Sequence, residues 1–236
     1  MDDITLENQN TYDDPNETTY LAKPQHKIRS AIVEDIIKNR VSELKNQSTR
    51  ILSVACGNGE LEDRLLEDRS QVFGLDIALQ GLYIAKRRGI RVVQANVAKI
   101  FPFKDQVFDI VFAGEIIEHL MHTKTFLTQI HRVLKPSGFF VLTTPNLARL
   151  QDRISFLFGY PPRHTSPTHR YLYLHIRPFT LISIRKSLQA FGFEIIDTVS
   201  NYVTYRLDDK ILLKSRVLAK IIPSLGDTLI ITATKT

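Results

Sequence analysis

The chain has 236 residues, 43% of them hydrophobic, and 31 Lys and Arg against 25 Asp and Glu, a net charge of +6. That length and apolar content bury one substantial core, which predicts a single domain with embellishments. Cys56 is the only cysteine, which excludes a disulfide framework, a cysteine-rich zinc site, an iron–sulfur cluster and any two-cysteine covalent mechanism.

The first twenty residues hold six acids (Asp2, Asp3, Glu7, Asp13, Asp14, Glu17) and no Lys or Arg, so the remainder carries +12. A basic body attracts nucleic acid, anionic lipid or an acidic substrate. The longest Lys/Arg run, Lys86-Arg87-Arg88, sits at a predicted helix end, where it offsets the helix dipole, so nucleic acid is not the expected partner. The N-terminus is too polar for a signal peptide and no apolar run reaches membrane-spanning length. A cytoplasmic location is the default expectation. Residues 1–25 lack periodicity and read as a flexible arm, or as a lid whose rings would be Tyr12 and Tyr20. From His26 to Lys45, Ile28, Ile32, Ile36, Ile37, Val41 and Leu44 recur at helical spacing and predict a helix over one face of a sheet, with no chemistry of its own.

Arg50 to Glu62 is the organising stretch. An apolar run, Ile51-Leu52-Ser53-Val54, predicts a strand buried on both faces. Ala55-Cys56-Gly57-Asn58-Gly59 predicts a sharp turn that lets a ligand approach the backbone, and Glu60 to Asp68 predicts a helix. Strand, glycine loop and helix open a nucleotide-binding α/β fold. The third glycine of the dinucleotide fingerprint and the Gly-Lys-Ser/Thr ending of phosphate-binding loops are both absent. The loop resembles motif I of the class I S-adenosylmethionine (SAM) methyltransferases, with Ser53 where an acid is common and Ala55 where the first glycine is common. Those two departures remove a charge and crowd the loop.

The next strand, Gln71 to Asp76, ends in an acid about twenty residues beyond the loop, where dinucleotide folds place a ribose-binding carboxylate. A carboxylate accepts from both hydroxyls of a diol; the alternative is an N-cap for the helix Ala78 to Arg88, which Gly89 closes. Ile77 would pack on the adenine. The third strand, Arg91 to Ala95, leads to Asn96-Val97, where the resembling family places an adenine contact. Phe101-Pro102-Phe103 and a fourth strand, Phe108 to Ala113, lead to Glu115-Ile116-Ile117-Glu118-His119-Leu120, which resembles the family's second block. Phe126 to Gly138 reads as a helix stopped by Pro136 and Gly138, then a fifth strand runs from Phe139 to Thr144 and closes at Pro145-Asn146. Residues 175 to 193 resemble the closing segment of the same small-molecule group, types 11 and 23.

The resemblance implies a Rossmann-like α/β fold with a seven-stranded mixed sheet, order 3-2-1-4-5-7-6, helices on both faces and the last strand antiparallel. Its final strands are expected near Glu194–Val199 and Thr228–Thr234, around a helix from Leu207 to Ile222. That helix is basic and amphipathic: a membrane-surface role is the alternative to core packing, and core packing is the expectation. Residues 26–236 form the methyltransferase domain in this reading, with 147–180 as a substrate-side insertion. SAM is the implied cofactor and S-adenosylhomocysteine (SAH) its product. Ala55, Cys56, Gly57, Asn58, Gly59, Asp76, Ile77, Asn96, Val97, Ala113 and Glu115 are the implied cofactor contacts.

The implied reaction is methyl transfer to a small-molecule acceptor at oxygen. His119 is the candidate general base, since imidazole titrates near neutral pH; a turn-holding histidine is the alternative. Tyr20, His164, His169, Tyr171 and His175 are candidate acceptor contacts, or else surface loop, with Tyr160 and Tyr173 beside them. The histidine spacing fits no recognised zinc arrangement, so no metal is expected. Two other readings stay open: a methyltransferase of RNA or protein, and a non-catalytic SAM-binding protein. Ala113-Gly114-Glu115-Ile116 stands where base-amine enzymes carry Asn/Asp-Pro-Pro-aromatic, and Cys56 lies inside the loop rather than at a cytosine-attacking position. Acceptor identity and oligomeric state are not encoded legibly.

Overall fold

The computed structural model describes residues 24–44, 48–66, 70–165, 174–207 and 210–236. The expected arm up to residue 23, with Tyr12 and Tyr20, lies outside them, as do His169, Tyr171 and Tyr173. Helix α1 (Pro24–Glu43) precedes strand β1 (Thr49–Val54), helix α2 (Glu60–Asp63), strand β2 (Ser70–Asp76), helix α3 (Leu79–Arg87) and strand β3 (Arg91–Gln94). Strand β4 (Phe108–Gly114), helix α4 (Thr123–Val133), strand β5 (Leu134–Pro145), helix α5 (Leu150–Leu157) and helix α6 (Leu181–Ala190) follow. Strands β6 (Phe193–Ser200), β7 (Val203–Leu207) and β8 (Lys210–Ser215), helix α7 (Arg216–Ile221) and strand β9 (Thr228–Lys235) complete the described chain.

Seven strands form one sheet in the order β3-β2-β1-β4-β5-β9-β6. The pairs from β3 to β5 are parallel, and β9 runs antiparallel to both β5 and β6. With β9 as the seventh strand of this sheet, the order is the one the resemblance implies. Side chains alternate across the sheet, as a period of two requires. Leu52, Val54, Val111 and Ala113 pack with Phe126, Leu127 and Ile130 of α4 and Ile184 and Leu188 of α6. Ile51 and Ile110 pack on the other face with Val33 and Ile37 of α1, Leu61, and Ala85 of α3. The parallel strands are thus apolar on both faces, because helices cover both.

Three expected elements differ. Helix α2 ends at Asp63, after only four residues. Helix α4 stops at Val133, and β5 begins at Leu134 with a register shift opposite Phe108 and Ile110. Ser137 takes φ 57°, so the Lys-Pro-Ser-Gly stretch enters the strand rather than closing the helix. The predicted helix from Leu207 to Ile222 is a β7–β8 hairpin followed by the six-residue α7. Apolar residues that fit a helical period there also fit a strand, and hairpin pairing of Val203 with Ser215 and Tyr205 with Leu213 prevails. Ala219 is buried whereas Val217 and Ile221 are exposed, so α7 does not pack an apolar face into the core. No helix among the described residues is long and apolar enough to cross a membrane.

Candidate functional site

The loop after β1 is shaped by left-handed backbone at Ala55 (φ 61°), Gly57 (φ 53°) and Gly59 (φ 72°). Ala55 N donates to Leu75 O at 2.7 Å and Gly59 N to Cys56 O at 3.0 Å, so β2 and the loop hold each other. Asn58 Oδ1 accepts from Glu60 N at 3.2 Å. A side chain at Gly57 would meet nothing within 4 Å, which leaves this turn open to a ligand. Its other side is closed: a side chain at Gly81 would press on the Gly57 carbonyl at 2.9 Å, so α3 packs backbone to backbone against the loop.

Asp76 ends β2 beside that turn. Its Oδ2 accepts from Gly57 N at 2.7 Å and its Oδ1 from Ala78 N at 2.9 Å. The carboxylate therefore fixes the loop and starts α3. Ile77 is half-buried, and its carbonyl accepts from Gln94 Nε2 at 3.1 Å. Asn96 Oδ1 accepts from Ala98 N at 2.8 Å, Val97 is buried, and Ala113 is fully buried, offering only backbone. These positions lie at the carboxyl ends of β1, β2, β3 and β4, the edge where open parallel sheets take their ligands. An adenosyl group fits the edge: Gly57 is open, and Asp76 presents a diol acceptor next to it.

Cys56 is buried over Gly74, and burial, with Asp76 and Glu62 nearby, pushes its thiol well above the ordinary range. It is an inert packing group. Ser53 Oγ donates to Glu62 Oε1 at 2.6 Å, so an acid lies beneath the loop although β1 itself carries a serine. Burial raises the Glu62 carboxyl above its usual value.

The second block forms the next part of the edge. Glu115 takes φ 52°, a strained angle for a residue with a side chain. Thr143 Oγ1 donates to Glu115 Oε1 at 2.9 Å, and Arg29 of α1 reaches Glu115 Oε2 at 3.0 Å. Helix α1, expected to carry no chemistry, thus delivers a buried guanidinium to the site; one arginine in an amphipathic pattern gives no signal of that. Glu118 is 1% exposed, and its Oε2 accepts from Thr144 Oγ1 at 3.1 Å. Burial, and then the neighbouring Glu115, raises its carboxyl well above the usual range.

His119 is buried, and burial followed by the nearby His175 lowers its pKa to about 3. The imidazole is neutral near pH 7 but very weakly basic, so the premise that it titrates near neutrality does not hold. His119 and His175 meet edge to face with ring centroids 4.8 Å apart, and His164 stacks on His175 at 5.6 Å. Tyr160 is exposed. The segment after β5 leaves and returns at one place: Leu147 N donates to Phe179 O at 2.8 Å, and Arg177 N to Glu118 O at 3.0 Å.

Residues 52–142 match the family model of a methyltransferase domain. With the relatives and solved structures below, this match supports a class I SAM-dependent methyltransferase. A probable SAM-dependent methyltransferase of Mycolicibacterium smegmatis is 29% identical over 151 residues, 63% of this chain and 53% of that one. A ubiquinone biosynthesis O-methyltransferase of Rhizobium etli is 28% identical over 193 residues, 74% of this chain and 75% of that one. The mouse mitochondrial enzyme of that name is 29% identical over 119 residues, 47% of this chain and 32% of its own length. The chain thus spans only about half or less of some curated relatives it matches. Among solved structures, a possible histamine N-methyltransferase of Thermotoga maritima aligns with TM-score 0.66 at 17% identity, covering 97% of this chain and 99% of that one. The [4+2]-cyclase SpnF aligns with TM-score 0.59 at 21% identity, over 85% of this chain and 81% of its own. The family's cofactor is SAM, which leaves as SAH once its methyl group has been transferred.

Proposed function

We propose that this chain transfers a methyl group from SAM to the oxygen of a small-molecule acceptor. The observation that carries the reading is the joint placement of Asp76, the open turn at Gly57 and the Glu115–Glu118–His119 block along one sheet edge. Asp76 receives the ribose hydroxyls, Ile77, Asn96 and Val97 line the adenine, and the backbone of Ala55 to Gly59 and of Ala113 follows the methionine portion. Glu115, held by Arg29 and Thr143, faces the methionine end. Bound SAM supplies a methyl activated by its positive sulfur, so the protein's task is alignment and exclusion of water. Residues 147–180 form the acceptor side, because both ends of that excursion return to Glu118 and β5. His164 and His175 line it in this reading; the other proposed acceptor contacts, Tyr20, His169 and Tyr171, lie outside the described residues. The preference for oxygen follows the ubiquinone O-methyltransferase relatives, and peripheral contact with a membrane surface fits a lipophilic acceptor.

One observation favours a second reading, a SAM-binding protein that does not transfer methyl groups: Ala55 holds a strained left-handed angle where the family carries glycine. The [4+2]-cyclase SpnF, on the same fold, makes the point that fold alone does not fix the reaction. The test is incubation with methyl-labelled SAM and a panel of phenols, catechols, carboxylic acids and mixed-sequence RNA. Label on a hydroxyl compound supports the proposal. Label on RNA alone refutes the small-molecule reading, and SAH binding without label on any acceptor favours the non-catalytic one.

A further inference from the structure

Arginines collect where the chain leaves β5 and where it enters β9. Arg149, at the N-cap of α5, closes a fork onto Asp152, with Nε to Oδ2 at 2.8 Å and Nη2 to Oδ1 at 3.3 Å. Its Nη1 lies 3.9 Å from Asp227 Oδ1, and Asp227 Oδ2 accepts from Thr204 Oγ1. Asp152 Oδ1 also accepts from Arg163 N at 3.2 Å, which folds the segment beyond α5 back onto the first turn of that helix. Gln151 holds both backbone groups of Arg206, accepting from its N at 2.6 Å and donating to its O at 3.1 Å, and so fastens β7 to α5. Both carboxylates are thus engaged by Arg149, Thr204 and a backbone N–H. The guanidinium groups of Arg163 and Arg206 are exposed and make no hydrogen bond or ion pair among the described residues.

We propose that Arg163 and Arg206, set over the Arg149 ion pairs, bind a phosphate monoester group of the methyl acceptor. The cations crowd one another: burial, then Arg149 and Arg206, hold the Arg163 guanidinium below its ordinary range. An anion between the two free forks relieves that repulsion. Lys214 adds to the same side. It stands opposite Thr204 across the β7–β8 pair, with its Nζ 4.7 Å from the centroid of the Tyr202 ring. Arg149, Arg163, Arg206 and Lys214 face only Asp152 and Asp227, a surplus of two positive charges. A phosphate monoester brings about −1.5 to −2 near pH 7, whereas a carboxylate or a phosphodiester brings one negative charge. A carboxylate's two oxygens are filled by a single guanidinium fork; the three terminal oxygens of a phosphate monoester serve two.

The cluster is also placed where an acceptor must lie. Pro145 of β5 pairs with Thr228 of β9, and Asn146 N donates to Asp227 O at 3.0 Å, so Asp227 and Arg149 flank the carboxyl end of β5. Strand β4, which leads into Glu115 to His119, is the neighbour of β5. One or two strand spacings, about 5–10 Å, therefore separate the arginines from the end of β4. That span suits a ring-sized molecule with a hydroxyl at one end and a phosphate at the other. The acceptor role rests on the methyl-transfer reading; the binding of the anion does not.

The test titrates the full chain, with and without SAH, with phenyl phosphate, inorganic phosphate and benzoate by calorimetry. One phenyl phosphate should bind per chain with millimolar or tighter affinity, and inorganic phosphate should compete with it. Benzoate should bind the wild type at least about tenfold more weakly, and Arg163→Gln and Arg206→Gln should each weaken phenyl phosphate binding by a similar factor. Both side chains are exposed, so the variants keep the fold. No phenyl phosphate binding by the folded wild type, equal affinity for benzoate, or unchanged affinity in Arg206→Gln overturns the proposal. Sedimentation with phosphatidylcholine vesicles, with and without phosphatidate, separates a lipid headgroup from a soluble ligand. Sedimentation only with phosphatidate, without phenyl phosphate binding, overturns the small-molecule source. Loss of SAH binding with phenyl phosphate retained strikes only the cofactor reading, and the reverse strikes only this one.

Discussion

Gly81→Ala probes the link between helix α3 and the glycine loop. A methyl group there would lie 2.9 Å from both the carbon and the oxygen of the Gly57 carbonyl, and 3.4 Å from Asn58 N. All three are backbone atoms, so no rotamer change relieves the clash and either the loop or α3 must shift. Overpacking of this kind costs about 1–3 kcal/mol. Against it stands the helix propensity of alanine over glycine, about 1 kcal/mol in favour of the variant. The strain wins by roughly 0–2 kcal/mol, a fall in Tm of up to about 8 °C at 2–4 °C per kcal/mol. The displaced atoms include the turn whose N–H reaches Asp76 Oδ2 at 2.7 Å. SAH affinity, measured by calorimetry, should therefore fall by up to about 30-fold, because each 1.4 kcal/mol is a factor of ten. A variant with raised Tm and unchanged SAH affinity would show that propensity decides and that α3 does not press on the cofactor loop.

Three further perturbations probe neighbouring contacts. Ala55→Gly removes a left-handed alanine (φ 61°) that costs about 1–2 kcal/mol, less about 0.5–1 kcal/mol of added chain entropy, so urea unfolding should report a gain of up to about 1.5 kcal/mol; a loss would mean the loop is unstrained. Arg29→Met leaves the half-buried Glu115 without this cation and should lower stability by about 3 kcal/mol. A loss of less than about 1 kcal/mol would show the pair to be solvent-compensated. Glu62→Gln tests a pH slope. Burial raises the folded-state carboxyl above its unfolded value, so ionisation opposes folding. The penalty is absent below the unfolded pKa of about 4.3, grows as pH rises through the folded value, and is complete above it. Melting scans from pH 4 to 8 should show the variant gaining on the wild type as pH rises; a constant difference would refute the assignment.

The parts of the site that announce themselves in the sequence are those built from contiguous residues at the ends of strands. Ile51 to Gly59, Asp76 and Glu115 to His119 are runs in which backbone conformation and side-chain chemistry coincide, so pattern and position can be read together. Arg29, Gly81 and Gln94 are illegible because each acts through a partner brought near only by folding: Glu115, Gly57 and Ile77. Glu62 looks like an ordinary first-turn acid of a helix, yet α2 turns it inward onto Ser53. His119 was legible as a position but not as a chemistry, since its low pKa comes from burial and from His175. The β7–β8 hairpin is not legible because short apolar runs satisfy a helical period and a strand period equally.

The central claim is that Asp76 and the turn at Gly57 form a SAM site. Calorimetric titration of the wild type, Asp76→Ala and Asp76→Asn with SAH tests it most directly. The account predicts one SAH per chain for the wild type and at least tenfold weaker binding for both variants. Asn keeps one acceptor oxygen but neither the charge nor the paired diol contact. No binding by the folded wild type, or equal affinity in all three proteins, would contradict it.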